Sequence, residues 1–146
     1  MTQIATVHMT VLGNVHAKES VRRNKYGGFY MPAETKDYMN KIKLAAANHR
    51  DVMQRYKAMP VSMFIIAEFT PPKSSSMVFQ IRAIDGKILY TKRPDYDNID
   101  KIVGDALQGI AFDNDSQIFK CTTTKQYAVR DCLHITLTYH EDRSRG

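Results

Sequence analysis

The nine residues from Val61 to Phe69, VSMFIIAEF, form a compact apolar run with prolines on both sides, at Pro60 and at Pro71-Pro72. The run is rich in β-branched and aromatic side chains, which favour strands, and proline interrupts a regular element. It therefore predicts a buried strand. Because the backbone groups of a buried strand need partners, this strand requires neighbours and the fold must contain a sheet.

Other parts of the chain supply further strand patterns. Residues 3–11 alternate roughly between polar and apolar, with the apolar positions at Ile4, Val7, Met9 and Val11. Such alternation is typical of a strand with one buried face. Residues 117–125 and 132–140 predict the two strands of a hairpin. One face of the second strand is apolar, at Leu133, Ile135, Leu137 and Tyr139.

Two helical patterns accompany the strands. From Glu34 to Lys57, apolar residues recur every three or four positions, which predicts one long amphipathic helix. Residues 97–107 predict a short second helix, with Asp97 at its N-cap and Gly109 just past its end. Residues 74–85 fit either a short helix or a strand.

The chain is predicted to be a single α/β (α+β) domain over residues 1–146, a small mixed sheet with a long first helix and a short second helix. A length of 146 residues with 43% hydrophobic composition suffices for one core. Residues 141–146 are expected to form a frayed tail.

The sequence carries no run of about 18 apolar residues and no apolar leader with a basic start, so the expectation is a cytoplasmic protein without a membrane span. Cys121 and Cys132 are predicted to be two reduced thiols on strands. They are not expected to bind zinc, which would need further Cys or His residues close by.

Charge is distributed unevenly along this basic chain, whose net charge is +6 with a pI near 9.3. Residues 16–57 hold ten Lys or Arg against four acids, whereas residues 95–115 hold one Lys against six acids. Crowded carboxylates repel one another and are tolerated best around a divalent cation, and hard oxygen ligands favour magnesium, calcium or manganese. A metal site inside a basic protein indicates work on phosphates.

The acids at the two ends of this block are predicted to meet. The helix from Asp97 to Leu107 rises about 15 Å, and residues 108–115 can span about 26 Å when extended. The chain can therefore return and deliver Asp115 to the start of the helix, beside Asp95 and Asp97. Lys101 would lie one turn into the helix.

Such a cluster suits metal-assisted hydrolysis of a phosphodiester, in which carboxylates hold one or two magnesium ions and Lys101 stabilises the transition state. A structural role is the alternative. Asp97 would then cap the helix, Lys101 would pair with Asp97 and Asp105, and residues 113–115 would form an Asx-type turn.

The basic residues concentrate in a loop over residues 13–33 and just before the acidic block. This pattern indicates a flexible segment that follows a phosphate backbone, and a solvated loop is the alternative. The predicted nucleic-acid contacts are Lys18, Arg22, Arg23, Lys25, Lys92 and Arg93.

One block of the sequence resembles the RusA family of Holliday junction resolvases, particularly its phage-borne branch. The residues that carry the resemblance are Pro94-Asp95-Tyr96-Asp97-Asn98, Lys101, Asp105-Ala106-Leu107, Gly109 and Asp115-Ser116-Gln117-Ile118. A looser similarity covers the N-terminal half. Asn114 departs from the family pattern, which often has a second acid there.

The resemblance implies a homodimeric endonuclease of α/β fold, dependent on Mg²⁺ with Mn²⁺ as a substitute, that nicks a four-way DNA junction symmetrically in recombination and repair. It implies that Asp95, Asp97 and Asp115 are catalytic metal ligands and that Lys101 is the essential lysine. It further implies a bacterial cytoplasmic protein of phage or prophage origin, with no small-molecule cofactor.

Two other functions remain open at this point. One is a structure-specific DNA-binding protein without hydrolytic activity, in which the acids are structural. The other is a nuclease with the same chemistry that acts on flaps or other branched DNA.

Overall fold

The computed structural model describes residues 2–18 and 22–142. At its centre lies a four-stranded mixed sheet with the order β1-β6-β4-β5. The strands are β1 (Thr2–Leu12), β4 (Val61–Phe69), β5 (Ile118–Tyr127) and β6 (Cys132–Glu141). A separate two-stranded sheet pairs β2 (Arg22–Arg23) with β3 (Phe29–Tyr30). The mixed α+β class is confirmed, and β4 has the bounds that its apolar run predicts.

The pairing of β5 and β6 differs from the prediction. Although they follow each other in sequence, they do not form a hairpin, because β4 lies between them. β4 pairs antiparallel with β6, where Ile65 faces Ile135, and parallel with β5, where Ile65 faces Thr123. The hairpin prediction was wrong because strand patterns report which side chains are buried and carry no information about which neighbour a strand selects.

The helices are α1 (Ala33–Ala47), α2 (Arg50–Tyr56), α3 (Met77–Ile84) and α4 (Tyr96–Leu107). The predicted single helix over residues 34–57 is divided, because His49 leaves the helical region at φ −122° and ψ 21°. The ambiguous segment 74–85 contains a helix, whose first turn is capped by Ser76 as its hydroxyl accepts a hydrogen bond from the Phe79 amide at 3.1 Å. Gly109 follows α4 with φ +84°, as the sequence predicts for the residue that ends it.

Helices α1, α2 and α4 cover one face of the sheet. Their buried side chains share one cluster with the inward-facing residues of β1, β4 and β6, including the predicted apolar face of β6. The other face carries exposed side chains such as His8 and Phe64. No helix within the described residues has the length and apolar character needed to cross a membrane. Residues 143–146 of the predicted frayed tail lie outside the described part of the chain.

Candidate active site

Helix α4 carries two of the predicted site residues, Asp97 and Lys101, and is fixed against the core by its apolar side. The buried residues of α4 are Ile99, Ile102, Val103, Gly104, Ala106 and Leu107. Asp95 occupies the N-cap position in an extended conformation, and its side chain makes no capping hydrogen bond. Asp97, which the sequence placed at the N-cap, lies in the first helical turn instead. An acid is stabilised there by the helix dipole, and both carboxylates point away from the core.

Two ion pairs lie along the exposed side of α4. The carboxylate of Asp97 lies 3.8 Å from Lys101 Nζ, and both side chains are more than half exposed. Asp105 pairs with Lys18 and not with Lys101. The amide of Lys18 also donates a hydrogen bond to the carbonyl of Asn98 at 3.0 Å. The predicted flexible loop is therefore held against α4 at Lys18, and one of its cations is paired.

Asp115 begins a short 3-10 turn, Asp115–Gln117, immediately before β5. Asn114 caps this turn, its side chain accepting a hydrogen bond from the Ser116 amide at 2.9 Å. The Gln117 side chain accepts from the Asn114 amide at 2.8 Å and donates to the carbonyls of Lys57 and Met59 at 2.8 and 2.9 Å. These bonds fix Asp115 in place and give Asn114, which departs from the family pattern, a structural role.

Lys101 and Asp115 open into the same cleft, of about 320 Å³, between α4 and the first residues of β4 and β5. The cleft is lined by Met63, Asp100, Lys101, Gly104, Asp105, Asp115, Ile118 and Cys121. Gly104 lines it without crowding, since a Cβ at this position would meet no atom within 4 Å. A lysine and three acids therefore share one solvent-filled space.

Asp95 opens into a neighbouring cleft of about 420 Å³ whose lining includes His16, Lys18, Arg93 and Asn98. Within residues 2–18 and 22–142, the three acids predicted as metal ligands do not form a set with ligand oxygens within 4.8 Å of one another. The chain thus returns Asp115 to the side of α4, near Lys101, while Asp95 stays at the helix start.

Asp100 is a site residue that the sequence reasoning counted among the acids without assigning it a role. Its carboxylate accepts a hydrogen bond from the Thr123 hydroxyl of β5. Burial raises the pKa of Asp100, and the negative charge of Asp97 raises it further against hydrogen bonds that lower it. Its spacing of three residues from Asp97 is the signal that could have found it, since helical residues three apart are neighbours.

The segment before Asp95 is anchored by one lysine of β5. Lys125 Nζ donates hydrogen bonds to the carbonyls of Lys92 and Pro94, at 2.8 and 2.9 Å. The Tyr90 hydroxyl donates to the carbonyl of Arg93 at 2.6 Å. The start of α4 is therefore tied to the edge of the sheet, while Lys92 and Arg93 stay exposed.

Part of the predicted nucleic-acid surface forms an ordered β-turn. Arg23 pairs with Phe29 across β2 and β3, and Asn24 closes the turn by accepting hydrogen bonds from the amides of Tyr26 and Gly28 at 2.9 and 3.0 Å. Lys25 lies 5.1 Å from the centre of the Tyr26 ring. The backbone of Arg22 belongs to β2, and its side chain lies outside the described part. This basic hairpin is exposed, as a surface for phosphates must be.

The acids around α4 match a hard divalent cation in ligand type, because they offer carboxylate oxygens, which magnesium and manganese prefer. Asp113, a further acid of the block, lies 3.8 Å from Lys57 Nζ and is paired there. Asp95, Asp97, Asp100 and Asp115 have no lysine or arginine partner except Lys101, among the described residues. The acids near α4 therefore exceed the cations paired with them.

Residues 13–138 match the family model described as Endodeoxyribonuclease RusA. The chain is also similar to the uncharacterized protein YqaN of Bacillus subtilis (strain 168), with 32% identity over 99 residues. That alignment covers 66% of this chain and 68% of YqaN.

Proposed function

Because this chain belongs to the RusA endodeoxyribonuclease family, we propose that it is a magnesium-dependent endonuclease that resolves four-way (Holliday) DNA junctions by paired symmetric nicks. Its place of action would be the bacterial cytoplasm, in the recombination and repair of DNA. The observation that carries the proposal is the cleft in which Lys101 and Asp115 lie together.

In this proposal Asp95, Asp97 and Asp115 hold Mg²⁺, with Mn²⁺ as a substitute. The bound ion would activate water and neutralise charge on the phosphoryl oxygens. Lys101 would bind the scissile phosphate, leaving its 3.8 Å contact with Asp97. The pKa of Asp100 is raised by burial and, to a lesser extent, by the negative charge of Asp97, and a cation held by these acids would favour its charged form.

A homodimer is part of the proposal. A four-way junction is close to two-fold symmetric, and two copies related by a two-fold axis would present two equivalent sites to it. Recognition would rely on branched shape and backbone phosphates, with contacts from Lys18, Arg22, Arg23, Lys25, Lys92 and Arg93. Lys18 would have to exchange its partner Asp105 for a phosphate.

The direct test incubates the protein with a labelled mobile four-way junction, a flap and a linear duplex, with and without magnesium. Paired symmetric nicks in the junction alone, and only with magnesium, are the expected result. Cleavage of the flap in preference would favour a nuclease for other branched DNA. A retarded junction that stays intact in the presence of magnesium would favour the non-catalytic binding protein.

The basic hairpin gives a second prediction. Replacing both Arg23 and Lys25 with alanine removes two exposed charges. The affinity for junction DNA should then depend less steeply on salt, and the negative slope of log affinity against log salt should become smaller in magnitude by about two. Fluorescence anisotropy at several salt concentrations measures it. The matched control, Lys43→Ala with Arg50→Ala, removes the same charge from α1 and α2. An equal loss of slope in both double variants would show that only net charge matters.

A further inference from the structure

Three side chains of different ligand chemistry meet on the sheet face opposite α4. In the pairing of β4 with β6, Glu68 faces Cys132. His134 lies two residues further along β6, and side chains two apart on a strand share a face. A carboxylate oxygen of Glu68, the sulfur of Cys132 and a ring nitrogen of His134 all lie within 4.8 Å of one another.

We propose that Glu68, Cys132 and His134 form a second metal site, for a zinc-class divalent transition ion, separate from the acidic cleft. Sulfur, nitrogen and oxygen ligands together favour zinc over magnesium, which prefers oxygen alone. Three protein ligands leave a fourth tetrahedral position for water. The acidic cleft, lined by Met63 and Cys121, lies on the other face of the sheet, so the two sites differ in both place and chemistry.

The three side chains differ in burial, so that the site is closed to solvent at one ligand and open to solvent at the other two. Cys132 is fully buried, whereas the side chains of Glu68 and His134 are 19% and 37% exposed. An ion would reach the sulfur past the two polar groups. Gln126 Nε2 donates a hydrogen bond to the second carboxylate oxygen of Glu68 at 3.1 Å, which is the kind of contact that orients a metal ligand.

Without metal, His134 Nε2 and Glu68 Oε1 lie 2.6 Å apart and satisfy each other. That pair gives no role to the buried thiol beside it. Burial raises the pKa of Cys132, while the positive charge of Arg130 lowers it and the negative charge of Glu68 raises it. On binding, the ion would replace the His134–Glu68 contact and the thiol proton would leave to solvent. Thiolate and carboxylate together would balance the charge of the ion.

The spacing of Cys121 and Cys132, without further Cys or His close by, predicts no zinc site. Both cysteines are free, as predicted. However, Cys132 is followed two residues later by His134, and the third ligand comes from β4, far away in sequence. A strand pairing that the sequence did not predict is what brings Glu68 to the other two.

Cobalt(II) tests the site, because a bound thiolate gives a near-ultraviolet charge-transfer band and tetrahedral geometry gives intense visible bands. The protein of residues 1–146 is titrated with cobalt in excess magnesium, without added thiols. We expect one equivalent to bind with a thiolate band, to be displaced by zinc and to be unaffected by further magnesium. Absence of the band from the wild type would overturn the proposal.

Single-residue variants identify the cysteine that supplies the thiolate ligand to cobalt. Cys132→Ser should lose the thiolate band, and His134→Ala should weaken cobalt binding by about 10-fold or more. Cys121→Ser is the matched control, since this exposed cysteine lies in the acidic cleft, and it should keep the band. Loss of the band in Cys121→Ser with retention in Cys132→Ser would instead place the thiolate ligand in that cleft.

Folding of each variant is checked by circular dichroism, since Cys132 is buried. If Cys132→Ser does not fold, the more exposed positions decide through His134→Ala and Glu68→Gln. Unchanged cobalt affinity in both of these would exclude the proposed site.

Discussion

Asp97→Asn should reduce junction cleavage by about 100-fold or more, because it removes a charged ligand from the proposed metal site. Asparagine has nearly the same size, and Asp97 is exposed in the first turn of α4, so the fold should persist. Binding to the junction should be kept or strengthened, since a negative charge near phosphates is lost. Single-turnover cleavage and anisotropy on one junction measure the two effects.

The control for Asp97→Asn is Asp37→Asn, an exposed acid of α1 outside both clefts. Both variants change the net charge equally, so any effect of charge on DNA affinity is shared. Full cleavage by Asp97→Asn at ordinary magnesium concentration would remove Asp97 from the metal site and return it to a structural role.

Gln117→Ala should lower the rate of junction cleavage by about 10-fold to 100-fold while leaving junction affinity unchanged. Its side chain makes three hydrogen bonds that fix the turn presenting Asp115. Gln117 touches neither DNA nor metal in this scheme and is a positioning residue. Losing these partly buried bonds should also lower the free energy of unfolding by about 1–3 kcal/mol.

The matched control for that variant is Gln80→Ala in α3, which loses a side-chain bond to the Ser75 carbonyl at 3.0 Å. Rates are measured well below the unfolding temperature of each variant. A rate that falls equally in both variants would mean that the loss reflects stability, whereas a fall confined to Gln117→Ala supports positioning of Asp115.

The strands of the main sheet were predictable because burial leaves a local pattern, whereas α3 was left open between helix and strand and β2 and β3 lie in a segment predicted as a flexible loop. The apolar run of β4 and the alternation in β6 each report a face against the core. The order of the strands was not predictable, because the pattern within a strand does not determine which other strand it pairs with. The division of the first helix was missed as well. The apolar period continues through His49, but the backbone leaves the helical conformation at that residue.

The candidate site was predictable in its residues and less so in its geometry. The density of acids picked out the chain segment, and chain reach returned Asp115 toward α4. The reach of the chain did not reveal that Asp115 shares a cleft with Lys101, or that Asp95 opens into a different cleft. Nor did it give the tertiary contact between Asp100 and Thr123 or the pairing of Lys18 with Asp105, which join residues distant in sequence.

The parallel pairing of β4 with β5 bears on when the acidic cleft is made. The two strands are joined by residues 70–117, and the cleft lies where Met63 meets Ile118 and Cys121. Contacts across so long a loop form only after its closure entropy has been overcome, so they come late in folding. A partly folded chain in which β4 and β5 have not yet paired lacks one wall of the cleft, whatever the state of α4. Completion of the fold and completion of the cleft should therefore coincide.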